Sequence, residues 1–436
     1  MGKGNMKLLV VVALIAILAG SWYTLFNDAA ALQRQYDDYL RIAQEKRDGD
    51  LWDDALDAYK AALQMNDTLA LREEICDYYE TINRNDAYLA FCEETVTKYP
   101  HDARAYERMA DYYSSTENYT ACYNILNRAS KRGVSSDGLT EIMADVRYQF
   151  EYIGYGYPQV GIFSNNLCAV QRSDGKWAYV GTDGKTRLGF RYLDAGEYTG
   201  QYLPVQLDTE EYVLIDLSGR EKSKDTSGLK IEDCGYLFED KMAVKYDGKY
   251  HYCDAQFQTL FGSYDYAGTF NGGLAAVREG DAWYIIDAAG NKVTGAYEEI
   301  KVDEKGVSYR NGVAFVKDGG RYYLIDTAGK RVGDTSWADV DCFNSAQPAA
   351  VSNGEKWGYT DASGNMVLDY TYEEAKSFMY GFAAVAKDGK WGYIILDDYS
   401  LQIDYQFTAA MDFGPAGSAF VDNGRGWDLI RLYANR

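Results

Sequence analysis

"KDGKWGYIILD" runs from Lys387 to Asp397, and "NGEKWGYTDASG", Asn353 to Gly364, repeats its grammar about thirty residues earlier. In both, a charged turn containing Gly leads into a short run rich in aromatic and apolar residues. Asp and Gly tolerate the positive φ of tight hairpin turns, so the phrase reads as a turn followed by a strand. Phasing the chain on the tryptophan brings eight aromatic positions into register: Trp177, Tyr212, Tyr250, Trp283, Tyr322, Trp357, Trp391 and Trp427, spaced about 33 to 39 residues apart. An apolar strand such as "GLAAV" (Gly273–Val277) or "GFAAV" (Gly381–Val385) precedes the anchor, and a second turn follows, as at Asp287 and Gly290 after Trp283. Each unit is therefore expected to be a small antiparallel sheet, and the C-terminal two thirds an array of such sheets.

One small sheet lacks the core to stand alone, and a ring recurring in phase, sometimes as Tyr, is the expected plug between neighbours rather than a ligand contact. Full burial of such a ring covers about 150 to 250 Å², equivalent to about 4 to 6 kcal/mol as an upper value. The piece "YGYPQVGIF" (Tyr155–Phe163) matches the end segment of a unit, while the last unit stops soon after Trp427. The array thus begins and ends inside a unit, as a ring closed by a shared sheet requires. The expected architecture over 153–436 is a β-propeller-like toroid of about eight small blades, with an open β-solenoid or meander as the alternative.

These units resemble the WG repeats of bacterial proteins. Trp357 to Tyr359 and Trp391 to Tyr393 keep the full Trp-Gly-Tyr phrase, Ala178 and Tyr284 replace the glycine after Trp177 and Trp283, and the units around Tyr212 and Tyr250 depart furthest.

Upstream, over 31–152, the period is helical. "LWDDALDAYKAALQMND" (Leu51–Asp67) puts Trp52, Ala55, Tyr59 and Ala62 on one face. Tyr39, Ile42, Ala43, Ala55, Tyr59 and Ala62 are echoed about two periods of 33 to 34 residues later by Tyr106, Met109, Ala110, Cys122, Leu126 and Ala129, with a weaker copy at Ile75, Cys76, Tyr79 and Tyr88. The hairpins resemble tetratricopeptide (TPR) repeats, which implies a concave face that binds peptides or other proteins; a stiff spacer is the alternative. A capping helix with Ser135 or Ser136 as N-cap, burying Ile142, Val146 and Phe150, is expected to close the stack.

Lys3 and Lys7 precede the uncharged run Leu8–Phe26, long enough to span a bilayer once as a helix. With Trp22 and Tyr23 near its far end, residues 1–30 are expected to be a signal-anchor that leaves the rest of the chain outside the cytoplasm; a signal peptide cleaved near Ala19–Ser21 is the alternative. The expected location is the cell membrane, in single-pass form, or secretion after cleavage.

The chain carries 66 acidic against 44 basic residues, a formal charge of −22, so nucleic acid and anionic lipid surfaces are poor partners. Seven scattered cysteines without a CxxC pair read as small core residues. Two histidines cannot build a multi-histidine metal site, "GTDGKT" (Gly181–Thr186) and "GYGYPQ" (Gly154–Gln159) fail the phosphate-loop and dinucleotide patterns, and no G-x-S-x-G elbow occurs. No catalytic residue, metal or cofactor is assigned. The expected function is non-catalytic: an envelope protein whose repeats contact a protein or a cell-wall polymer. Carbohydrate or peptidoglycan binding is the alternative, and glycan hydrolysis by a carboxylate pair in the central channel the more distant one.

Overall fold

The computed structural model describes residues 30–198, 200–226 and 228–435. The apolar run Leu8–Phe26 lies outside them, and among the described residues no helix is long and apolar enough to cross a membrane. The chain divides into two compact units, Met1–Val146 and Arg147–Arg436.

The described part of the first unit is helical: α1 (30–48), α2 (Trp52–Met65), α3 (Leu69–Thr81), α4 (Asn85–Lys98), α5 (Arg104–Ser115), α6 (Tyr119–Lys131) and α7 (Asp137–Val146). Asp50, Asn83 and Glu117 take positive φ in the turns after α1, α3 and α5. Thr68 and Asn118 cap α3 and α6 by accepting from the amides of Leu71 and Ala121, both at 3.2 Å. Small side chains fill the interhelical seams: Ala43, Ala55, Ala62, Cys76, Cys92, Ala110, Cys122 and Ala129 are all fully buried or nearly so. Ions repeat at the same interval, with Arg108 on Glu73 at 2.9 Å and Arg128 on Glu93 at 2.6 Å. Two expectations are corrected. Trp52 is 45% exposed, because it opens α2 ahead of the buried stripe of Ala55, Tyr59 and Ala62. α7 is capped by Ser136 but ends at Val146, and Phe150 opens a β-strand instead of extending the helix.

The second unit is an eight-bladed β-propeller. Blades one to seven run outward in chain order over 159–192, 194–224, 233–264, 266–297, 299–337, 339–372 and 374–407. Blade eight is composite. Ala409–Ala410, Ser418–Asp422 and Trp427–Leu432 supply its inner strands, and Phe150–Tyr157, from the start of the unit, pairs antiparallel as the outermost, with Phe150 opposite Leu432 and Tyr157 opposite Trp427. The shared sheet that the sequence called for is present, shifted by a few residues: 150–157 closes blade eight, and Gln159–Val160 already opens blade one.

The turn of the opening quotation is a two-residue hairpin. Asp388 and Gly389 have φ of 52° and 71°, the handedness that matches strand twist, and Lys387 pairs with Lys390. The second strands, such as Ala383-Ala384-Val385, are buried on both faces because each blade is sandwiched by two others. Eight apolar clusters, one per blade-to-blade junction, carry the core round the ring. The last joins blade eight to blade one, where Phe420 stacks on Phe163 at 5.5 Å.

The glycine of the Trp-Gly-Tyr phrase has a steric reason. A Cβ at Gly358 or Gly392 would lie 2.6 or 2.5 Å from a carbonyl oxygen of the bulged outer strand, at Leu368 or Ile403. Ala178, Val213, His251, Tyr284 and Tyr323 stand at this position in blades one to five; the fourth strand is reduced to isolated bridges, at Lys292 and Tyr297, in blade four, and the other four blades keep it.

Candidate functional site

Each of the eight anchors lies at or next to the start of the third strand of its blade. All eight contribute to a junction cluster with the next blade. Tyr212 and Tyr322 are buried, whereas Tyr250 and the five indoles are half-buried. The anchors therefore do not converge on a common pocket, and only part of each indole's surface is hidden.

The sealed ring is the tyrosine two residues further on, which sequence reasoning passed over. Tyr179, Tyr252, Tyr359 and Tyr393 are at most 1% exposed. Their hydroxyls donate to the carbonyls of Gly196, Gly268, Lys376 and Met411, at 2.6, 2.8, 3.1 and 2.7 Å. In every case the acceptor follows the innermost strand of the next blade, so the phenol latches one blade to its neighbour at the channel wall. The signal was available in the third letter of the repeated phrase.

With the repeated side chains spent on packing, the variable ones gather at one mouth of the channel, in the loops between first and second strands. Six residues make this loop in blades one, four and seven (161–166, 268–273, 376–381), but blade five has twelve (301–312). The longer loop is built on Asp303, whose Oδ1 accepts the amides of Lys305 and Val307, both at 2.9 Å, while Oδ2 takes Arg310 at 2.6 Å. Gly306, with φ of 74°, makes the tight turn. Thr269 of blade four binds the loop through its amide to the Gly306 carbonyl at 2.8 Å and its hydroxyl to the Lys305 carbonyl at 2.5 Å. From the tip, Lys305 Nζ donates to Ser164 Oγ of blade one at 3.2 Å, and Glu304 receives Lys376 of blade seven at 3.4 Å. Blades one and five face each other in an eight-membered ring, so this loop reaches across the channel.

Ring closure brings further charges to the loop. Asp341 accepts the amides of Cys342 and Ser377 at 3.0 and 2.7 Å. Asp412 Oδ2 accepts from Asn344 at 2.7 Å, and its Oδ1 is sealed without a partner among the described residues. Glu197 is 4% exposed; Oε1 takes the Ile162 amide at 3.0 Å and Oε2 has no partner among the described residues. Burial pushes the Glu197 carboxyl up to about 8, against the pull of the Ile162 amide and Lys305. Burial likewise pushes Asp412 up to about 7, with Lys376 opposing. Burial lowers the Lys305 ammonium below its usual range. On Lys376 burial acts in the same direction, but Asp412, Glu304 and Asp341 outweigh it and hold that ammonium up.

Two cavities flank the loop. One, of about 120 Å³, has Phe163, Met379, Met411 and Phe413 on its walls with Lys305 and Lys376. The other, of about 140 Å³, is lined by Tyr198, Tyr236, Phe238, Asn165 and Asn271. Among the described residues no group of three His, Cys, Asp or Glu side chains is disposed to hold a metal ion.

No curated protein matches the chain. Similar solved structures include Hsv2p of Kluyveromyces lactis, at 10% identity over 57% of this chain and 98% of that one, with a TM-score of 0.38. Others are the β-propeller domain of Cps50 (Swd1) of Myceliophteria thermophila, at 10% identity over 65% and 97% with a TM-score of 0.33, and the WD40 β-propeller domain of Doa1, at 11% over 64% and 96% with a TM-score of 0.33. A family profile, described as the WG containing repeat, matches residues 263–283 and 357–391. On those residues, which include the full Trp357–Tyr359 phrase and end on the anchors Trp283 and Trp391, the propeller carries WG repeats.

Proposed function

We propose that this chain is a non-catalytic interaction protein of the bacterial envelope, in which the propeller presents its channel mouth to a partner. The supporting observation is the division of labour within the blades. The repeated residues hold blade to blade, while the non-repeated ones, Glu197, Asp303 to Lys305, Asp341, Lys376 and Asp412, collect at one mouth with two cavities beside them. Such a surface is suited to contact rather than turnover: Asp303 and Asp341 are tied into backbone hydrogen bonds, and Glu197 Oε2 and Asp412 Oδ1 are sealed from solvent. The helical unit, read as TPR-like, supplies a second contact surface, and Leu8–Phe26 tethers both to the membrane outside the cytoplasm.

A protein partner is the first reading. A photo-cross-linker at Tyr380, 53% exposed in the blade-seven loop beside Met379, should capture one defined envelope protein in cells, and Lys376→Met should reduce that capture. Cross-links found only in the cytoplasmic fraction, or none in the envelope, would refute it. The cavity of Tyr198, Tyr236, Phe238, Asn165 and Asn271 supports a second reading, since aromatic faces with amides suit sugars. Co-sedimentation with peptidoglycan that is lost on Phe238→Ala would favour it.

A further inference from the structure

The hydrogen bonds of the channel mouth are unevenly spent. Asp303 uses both oxygens on Lys305, Val307 and Arg310, Asp341 uses both on backbone amides, Asp412 is held by Asn344, and Glu304 holds Lys376. The lysines are different. An ammonium has three donors, yet among the described residues Lys305 makes one hydrogen bond from Nζ, to Ser164, and Lys376 makes one, to Glu304. Both line the cavity of about 120 Å³, opposite a wall of Phe163, Met379, Met411 and Phe413. The site therefore offers unused donors beside an apolar wall, while most of its carboxylate oxygens are already taken.

We propose that this cavity binds a carboxylate on a short apolar stem, the anion accepting from Lys305 and Lys376 and the stem lying against Met379, Met411 and Phe413. The chemistry argues against other classes. A cation would meet Lys305, Arg310 and Lys376, and a phosphate dianion would bring a second negative charge next to Asp303, Glu304 and Asp341. A cavity of about 120 Å³ is small for a ligand pocket, which favours a short-chain carboxylate over a long one. Binding also couples to protons. Below pH 7 Asp412 and Glu197 are largely neutral, so the anion faces Asp303, Glu304 and Asp341 balanced by Lys305, Arg310 and Lys376; above pH 8 both added carboxylates are charged and repel it.

The proposal rests on the reading of the propeller as a binding module and extends it, because the carboxylate can come from a free short-chain acid or from the C-terminus of a partner chain. The test is methionine-methyl NMR of the full-length protein, with Met379 and Met411 assigned through their Leu variants. Probes are isobutyrate, isobutyramide, Gly-Gly-Val and its C-terminal amide. The proposal expects saturable shifts of both methyls with isobutyrate and none with isobutyramide, at least a tenfold weaker Kd at pH 9 than at pH 6, and loss of binding in Lys376→Met. A response to Gly-Gly-Val but not its amide supports the site with a chain terminus as source; a response to isobutyrate alone supports it with a free acid. No saturable shift up to about 50 mM, a concentration that detects even weak millimolar binding, or equal shifts with acid and amide, would overturn it. Failure here with an envelope protein still captured at Tyr380 rejects the carboxylate site and leaves the interaction module standing.

Discussion

The Tyr393 hydroxyl donates to the Met411 carbonyl at 2.7 Å, tying blade seven to blade eight at the channel wall, deeper than the half-buried indole of Trp391. Tyr393 is wholly buried and its ring packs edge-on to Phe413 at 4.7 Å. Tyr393→Phe leaves the Met411 carbonyl unmatched and should cost about 1 to 3 kcal/mol. Tyr393→Ala adds a cavity and should cost about 3 to 5 kcal/mol, more than Trp391→Ala. Urea unfolding of the three variants checks this order; Trp391→Ala being the most damaging would contradict it.

Gly392 faces the carbonyl of Ile403 across the outer bulge of blade seven, leaving no room for a methyl. Gly392→Ala should destabilise by about 1 to 3 kcal/mol through overpacking. Gly389→Ala, where a Cβ would meet nothing but φ is 71°, should cost about 1 kcal/mol through backbone strain alone. Melting temperatures of the pair separate crowding from conformational cost.

Closure makes Phe150–Tyr157 indispensable to the ring. Glu151 pairs with Arg431 at 2.8 Å across the shared sheet, and Phe150 packs on Phe407 at 6.0 Å. Replacing both Phe150 and Tyr152 by Asp should expose the third strand of blade eight and convert a single unfolding transition into a broad one. Near-UV circular dichroism on heating reports this; unchanged cooperativity would speak against a closed ring.

The carboxyls of Glu197 and Asp412 predict a dependence on pH. Their pKa values of about 8 and about 7 in the folded state lie above the ordinary carboxylate range, so the folded chain holds protons that the unfolded chain has lost. Their contribution is full below the unfolded pKa and falls as pH rises through 7 and 8. Carboxylates with lowered values, such as Asp53 and Asp67, do not titrate in that window. The urea midpoint should therefore drop between pH 6 and pH 9, and Asp412→Asn should flatten that drop. A midpoint that rises over this range would contradict the assignment.

The ring was legible because its signals are local. Turn pairs such as Asp388-Gly389 and alternating strands set the phase at Trp391, and the incomplete units at both ends of the array announced closure. The latch was missed because the largest ring, Trp391, drew attention from Tyr393, two residues away on the same face of the strand. The channel mouth was not legible at all. Glu197, Lys376 and Asp412 lie at nearly the same place in their repeats, just after the innermost strand, but the residue there changes from blade to blade, and Lys305 is in a loop of its own; only the ring brings the four to one mouth. Its one trace was spacing, since the interval from Trp283 to Tyr322 is the longest in the array and contains the loop that crosses the channel.

A cryo-electron microscopy map of the full-length protein tests the central claim most directly. The account predicts eight radial sheets, with Phe150–Tyr157 beside Trp427–Leu432 and the turn at 303–307 lying across the central opening. An open arc of sheets, or a ring in which that first strand lies elsewhere and the opening is empty, would contradict it.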